Sequence, residues 1–83
     1  MKVLYFARFR QIIGRASDDV VVPPEVKNVG ELLKHLISTD AGCAAAFANP
    51  KIVKAAVNQS HVALDYPLAG ATEVAFFPPV TGG

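Results

Sequence analysis

The sequence is poor in the residues that build catalytic and metal sites. Cys43 is its one cysteine, so no disulfide can form within the chain. Eight Lys and Arg against seven Asp and Glu leave a formal net charge of +1, and the electrostatic footprint of a general nucleic-acid binder is missing. No apolar run approaches the roughly 20 residues that a membrane-spanning helix needs. There are no internal repeats, no low-complexity stretch and no linker. The opening Met1-Lys2-Val3-Leu4-Tyr5-Phe6 leads into strand-like sequence rather than a signal peptide, which together with the lone cysteine points to the cytoplasm.

The candidates for chemistry are equally thin. His35 and His61 have no second His, Cys pair or carboxylate at ligand spacing, so no metal site is expected. Gly14 and Gly30 do not sit in a Gly-rich strand-to-helix loop and read as structural glycines. Cys43 lies beside Ala44-Ala45-Ala46 and reads as a small packed hydrophobe rather than a reactive thiolate. Arg8, Arg10 and Arg15 cluster near the end of the first strand, where solvated loop charges are the commoner explanation and an acidic partner the alternative.

What is present is an apolar chain, 52% hydrophobic, long enough for one domain. A domain of this size buries roughly 60% of the surface its unfolded chain exposes. Residues 2–9 read as a strand with both alternate sets apolar, Val3/Tyr5/Ala7 and Leu4/Phe6, so both of its faces want cover. Gln11-Ile12-Ile13-Gly14 suggests a short helical turn. Residues 18–22 read as a second strand, forming a wide hairpin with the first, that Pro23-Pro24 ends by removing backbone donors.

Asn28 with Glu31 three residues on is an N-cap signature, and Val29, Leu32, Leu33, Leu36 and Ile37 follow at helical spacing, with Gly42 as the expected stop. A further helical piece is expected near 44–48, a strand at 52–57 ending at Asn58-Gln59-Ser60, a brief return strand at 61–64, and a last strand at 73–77. Strand, strand, helix, strand, short strand, strand in a chain this small predicts an α+β fold, a mixed sheet with one main helix across one face. That is the layout of a β-grasp, or ubiquitin-like, domain, expected over residues 1–77.

Pro78-Pro79-Val80-Thr81-Gly82-Gly83 cannot continue a sheet, so residues 78–83 are expected to project as a tail. Two glycines add no side-chain width, which suits a carboxyl group that must enter a narrow site on another protein. A frayed end is the ordinary reading of terminal glycines. Here the preceding residues decide, because Glu73-Val74-Ala75-Phe76-Phe77-Pro78-Pro79-Val80-Thr81-Gly82-Gly83 resembles the C-terminal signature of the small, sulfur-carrying subunits of molybdopterin synthase. The resemblance extends to Val3-Leu4-Tyr5-Phe6-Ala7, Ala56-Val57-Asn58-Gln59, and Asp65 with Pro67-Leu68. It departs at Ala71-Thr72, where that family usually has Gly-Asp, and Gly70 is expected to supply the turn one residue early.

The resemblance implies that a ubiquitin-activating-like enzyme, using ATP and Mg, adenylates the Gly83 carboxylate. A sulfur donor then converts it to a thiocarboxylate. The tail Pro78, Pro79, Val80, Thr81, Gly82 and Gly83 would enter the large subunit of a 2+2 heterotetramer and give its sulfur to a cyclic pyranopterin precursor. The active-site acids and bases would belong to the partners, so this chain itself would bind no cofactor. Rival expectations are a sulfur carrier for thiamine or tRNA thiolation, a protein modifier joined to lysines, or a plain interaction module.

Period-two alternation adds one expectation from the strands themselves. If Val3, Tyr5, Val74 and Phe76 face the helix, Leu4, Phe6, Ala75 and Phe77 share the opposite face, immediately before the tail. The resemblance implies docking of the large subunit there, and Leu4, Phe6, His61, Ala75 and Phe77 are the candidate docking residues. The alternative is that Ile12 or Tyr66 folds over this face as a minor core.

Overall fold

The computed structural model describes residues 1–79; the expectations for Val80, Thr81, Gly82 and Gly83 lie outside the described residues. The elements run β1 (Lys2–Tyr5), α1 (Ala7–Ile13), β2 (Ser17–Asp19), α2 (Val29–Thr39), α3 (Ala41–Ala46), a 3-10 turn (Pro50–Ile52), β3 (Lys54–Val57), β4 (Ser60–Val62) and β5 (Glu73–Phe77). The five strands form one sheet in the order β2-β1-β5-β3-β4. β1 and β5 are parallel at its centre and the other pairs antiparallel, so the sheet is mixed, as expected for a β-grasp domain.

Alternation along the central strands gives the sheet its two faces. Val3, Tyr5, Val74 and Phe76 are all buried and point to the helical side, where Val29, Leu32, Leu33 and Leu36 of α2 meet them. The Asn28 cap forms as expected: its Oδ1 accepts a 2.8 Å hydrogen bond from the Glu31 N–H, and Glu31 Oε1 accepts one of 2.6 Å from the Lys27 N–H. Aromatic rings close the core, with Phe47 packed edge-on against Phe9 at 4.9 Å between centroids and tilted against Phe76 at 5.4 Å.

Three expectations are corrected. The first strand stops at Tyr5, not Phe9, because residues 7–13 form α1. Phe9 and Ile13, four residues apart, lie on one helical face and both are buried, a gain that strand geometry at Phe9 would not give. The second strand is shorter than expected, ending at Asp19. α2 stops before Gly42, at Thr39, and Asp40 both ends it and caps α3, accepting from the Cys43 N–H at 2.8 Å. Gly42 instead sits inside α3, where an added Cβ would stand 3.1 Å from Asp40 Oδ2 and 3.4 Å from the Cα of Ile13, so its role is the close approach of α3 to α1.

Gly70 takes the left-handed conformation, φ 79°, in the loop before β5, the role expected of it. The Ala71 N–H donates to the Leu68 carbonyl at 2.9 Å. No helix among the described residues is long and apolar enough to cross a membrane.

Candidate functional site

The face of the sheet away from the helices is where the candidate residues meet. Register places Leu4 beside Ala75, Ala75 opposite Ala56, and Ala56 opposite His61, so one row of side chains crosses four strands. Its two middle positions are alanines, nearly buried by their larger neighbours, and its ends are Leu4 and His61. Small residues in the middle and large ones at the edge make a trough rather than a dome. The trough, of about 530 Å³, is lined by Leu4, Phe6, Ala56, Gln59, His61, Glu73, Ala75 and Phe77.

All five candidate docking residues therefore share one concave surface. Phe6 is 46% exposed, and Ile12 and Tyr66, both well exposed themselves, are not among the residues lining the trough. The alternative of a minor core is thus set aside for this face. Apolar surface of this kind, contiguous and rimmed by polar groups, is the usual mark of a binding surface.

The backbone that delivers Phe6 is unusual. Phe6 is extended (φ −123°), and its N–H donates to the Phe76 carbonyl at 3.1 Å. Ala7 follows at φ 53°, a left-handed conformation that costs a residue with a Cβ of order 1 kcal/mol. The reversal lets the chain leave the sheet at Phe6 and enter α1 at once, so that the Phe6 ring stays over the trough while Phe9 turns into the core. At the other side, His61 and Phe77 also line a smaller depression with Lys54 and Pro79, so the trough abuts the start of the tail.

The remaining candidates fall elsewhere. Cys43 is buried on α3, and burial is the main cause that pushes its thiol up to about 11, so it is mostly protonated at neutral pH. Its Sγ lies 3.6 Å from the Tyr5 hydroxyl, which donates to Asp18 Oδ2 at 2.8 Å. Arg15 is not a free loop charge: its Nε donates to both Asp18 oxygens, at 2.7 and 2.9 Å, and its Nη2 to Asp40 Oδ1 at 3.0 Å. These hydrogen bonds, Arg15's foremost, hold the Asp18 carboxyl below the usual range. Arg8 and Arg10 are exposed on α1. Among the described residues no group of three or more His, Cys, Asp and Glu is placed to hold a metal ion.

Sequence reasoning missed Gln59 and Glu73 as lining residues and Ala56 as part of the floor. The alternation that placed Ala75 on this face could have found Ala56, one strand over.

Residues 3–83 match the ThiS family. The chain belongs to that family. Over its whole length it is 42% identical to the molybdopterin synthase sulfur carrier subunit of Escherichia coli (strain K12), covering 99% of that protein. It is 32% identical to the subunit of the same name from Haemophilus influenzae, again over 100% of this chain and 99% of the relative. Its fold resembles that of SAMP1 from Haloferax volcanii, with a TM-score of 0.76 at 24% identity over 99% of this chain and 97% of that one.

Proposed function

We propose that this chain is a sulfur carrier of molybdopterin biosynthesis, acting as the small subunit of molybdopterin synthase through the carboxyl group of Gly83. The observation that carries this reading is the end-to-end match to two proteins named as that subunit. The apolar trough beside Phe77 supports it, because a carrier whose tail must enter a partner needs a docking surface at the root of that tail.

The proposed cycle asks little of the carrier's side chains. An adenylating enzyme, using ATP and Mg, joins the Gly83 carboxylate to AMP with release of pyrophosphate. The mixed anhydride is a better electrophile than the carboxylate, and a sulfur donor displaces AMP to leave a thiocarboxylate. Its sulfur is a soft nucleophile, suited to attack on a carbon of the cyclic pyranopterin precursor. Acids, bases and phosphate-binding groups come from the partners, and the large subunit docks on Leu4, Phe6, His61, Ala75 and Phe77 while residues 78–83 reach its active site. The assembly proposed is a 2+2 heterotetramer.

Trapping the product at Gly83 tests the reading. Cells expressing the chain with its activating partner should yield a protein heavier by the difference between sulfur and oxygen, and the added mass should sit on Gly83. An isopeptide conjugate to lysine, or an unmodified acid with no partner bound, would contradict it.

A further inference from the structure

The two-residue turn between β3 and β4 is made of Asn58 and Gln59, both left-handed, with φ 48° and 71°. This is the backbone of a type I′ hairpin, for which Asn-Gly is the low-strain choice because the second residue gains most from lacking a Cβ. Asn58 has a clear structural reason to be there. Its Oδ1 accepts from the Thr72 N–H at 2.9 Å, the Thr72 hydroxyl at 3.0 Å and the Glu73 N–H at 3.1 Å, tying the turn to the start of β5. Gln59 has none: its side chain is exposed and makes no hydrogen bond to the protein among the described residues. What it does is line the trough, with Glu73 beside it, at the end farthest from Phe77 and the tail.

We infer that Gln59 is a specificity-determining contact, whose side-chain amide hydrogen-bonds the backbone of the docked large subunit at the tail-distal end of the trough. A primary amide offers both donors and an acceptor, so it can pair with either group of a peptide bond. Strain held at an exposed position, with no internal bond to repay it, is what a binding contact leaves in a free protein. The apolar floor supplies area but no direction. A fixed polar contact at one end sets the register of the partner, and with it the distance over which the tail must reach.

This inference rests on the docking reading above, and the experiment separates the two. Melting temperature and affinity for the large subunit are measured on wild type, Gln59→Gly, Gln59→Ala and Phe77→Asp. Gln59→Gly should melt higher, since strain is relieved, yet bind at least about tenfold more weakly, a loss of about 1.4 kcal/mol. Gln59→Ala should bind as weakly without the gain in melting temperature. Wild-type affinity in Gln59→Gly, or in Gln59→Ala alone, overturns the inference, because the amide is then dispensable. A lower melting temperature in Gln59→Gly removes its premise. If Phe77→Asp also binds like wild type, the docking surface itself is wrong.

Discussion

The imidazole of His61 and the ring of Phe77 lie 4.9 Å apart, centroid to centroid, and are tilted by 41°. The two residues come from β4 and β5, which are not neighbours in the sheet, and they meet across β3 over Ala56 and Lys54. The pair thus forms one side of the trough, next to the point where the chain leaves the sheet.

Phe77→Asp and Phe6→Asp place a carboxylate in that apolar surface. Each is expected to weaken large-subunit binding by at least about 2 kcal/mol, the scale of an interface hot spot, with little change in monomer stability because neither ring is in the core. Titration calorimetry and thermal melts on the same variants check this. Unfolding, or unchanged affinity, contradicts it.

Ala75→Leu tests the shape of the site rather than its polarity. Ala75 is flanked by Leu4 and Ala56 and forms the floor, so the larger side chain should fill the trough and project from it. Binding should fall by at least about tenfold, while the melting temperature stays within a few degrees of wild type. A variant that binds normally would show that the partner does not enter the trough.

Much of this was legible in the sequence, for a physical reason. The α2 cap and stripe involve residues within a few positions of each other, and β5 is a short apolar run bounded by turn chemistry, so local spacing suffices for both. The start of α1 was not legible, because Phe6 and Phe9 are both apolar and a left-handed alanine carries no signal of its own. Gly42 misled because a glycine after a helical stripe is normally a stop, whereas this one answers to Ile13, distant in sequence. The ion pairs of Arg15 with Asp18 and Asp40 equally needed the fold, since Asp40 is 25 residues away.

Those ion pairs predict an acid dependence. The folded state holds Asp18 below its ordinary value, so its contribution to stability is present above about pH 4, the unfolded carboxylate value, and is lost as pH falls through the folded one. Asp18→Asn should be less stable than wild type at pH 7 and should lose less stability on going from pH 5 to pH 2. Denaturant melts at several pH values measure this. Equal slopes would remove the Arg15–Asp18 pair from the account.

Cys43 should be chemically quiet. With its thiol near 11, about one molecule in a thousand carries a thiolate at pH 8, and the sulfur is buried besides. Alkylation by iodoacetamide should be slow in the native protein and rapid in denaturant, and Cys43→Ala should retain sulfur transfer. Loss of transfer in a folded Cys43→Ala would give the thiol a role it does not have here.

The central claim is that the sulfur of molybdopterin passes through Gly83. A single-turnover reaction tests it most directly: the chain carrying a labelled sulfur, the large subunit and the pyranopterin precursor, with the label followed into product. The account predicts that label leaves the carrier in step with product formation, and that deleting Gly83 or adding one residue after it abolishes transfer while circular dichroism stays unchanged. An extended, untrimmed carrier that still delivers its sulfur, or product made without loss of label from the chain, would contradict it.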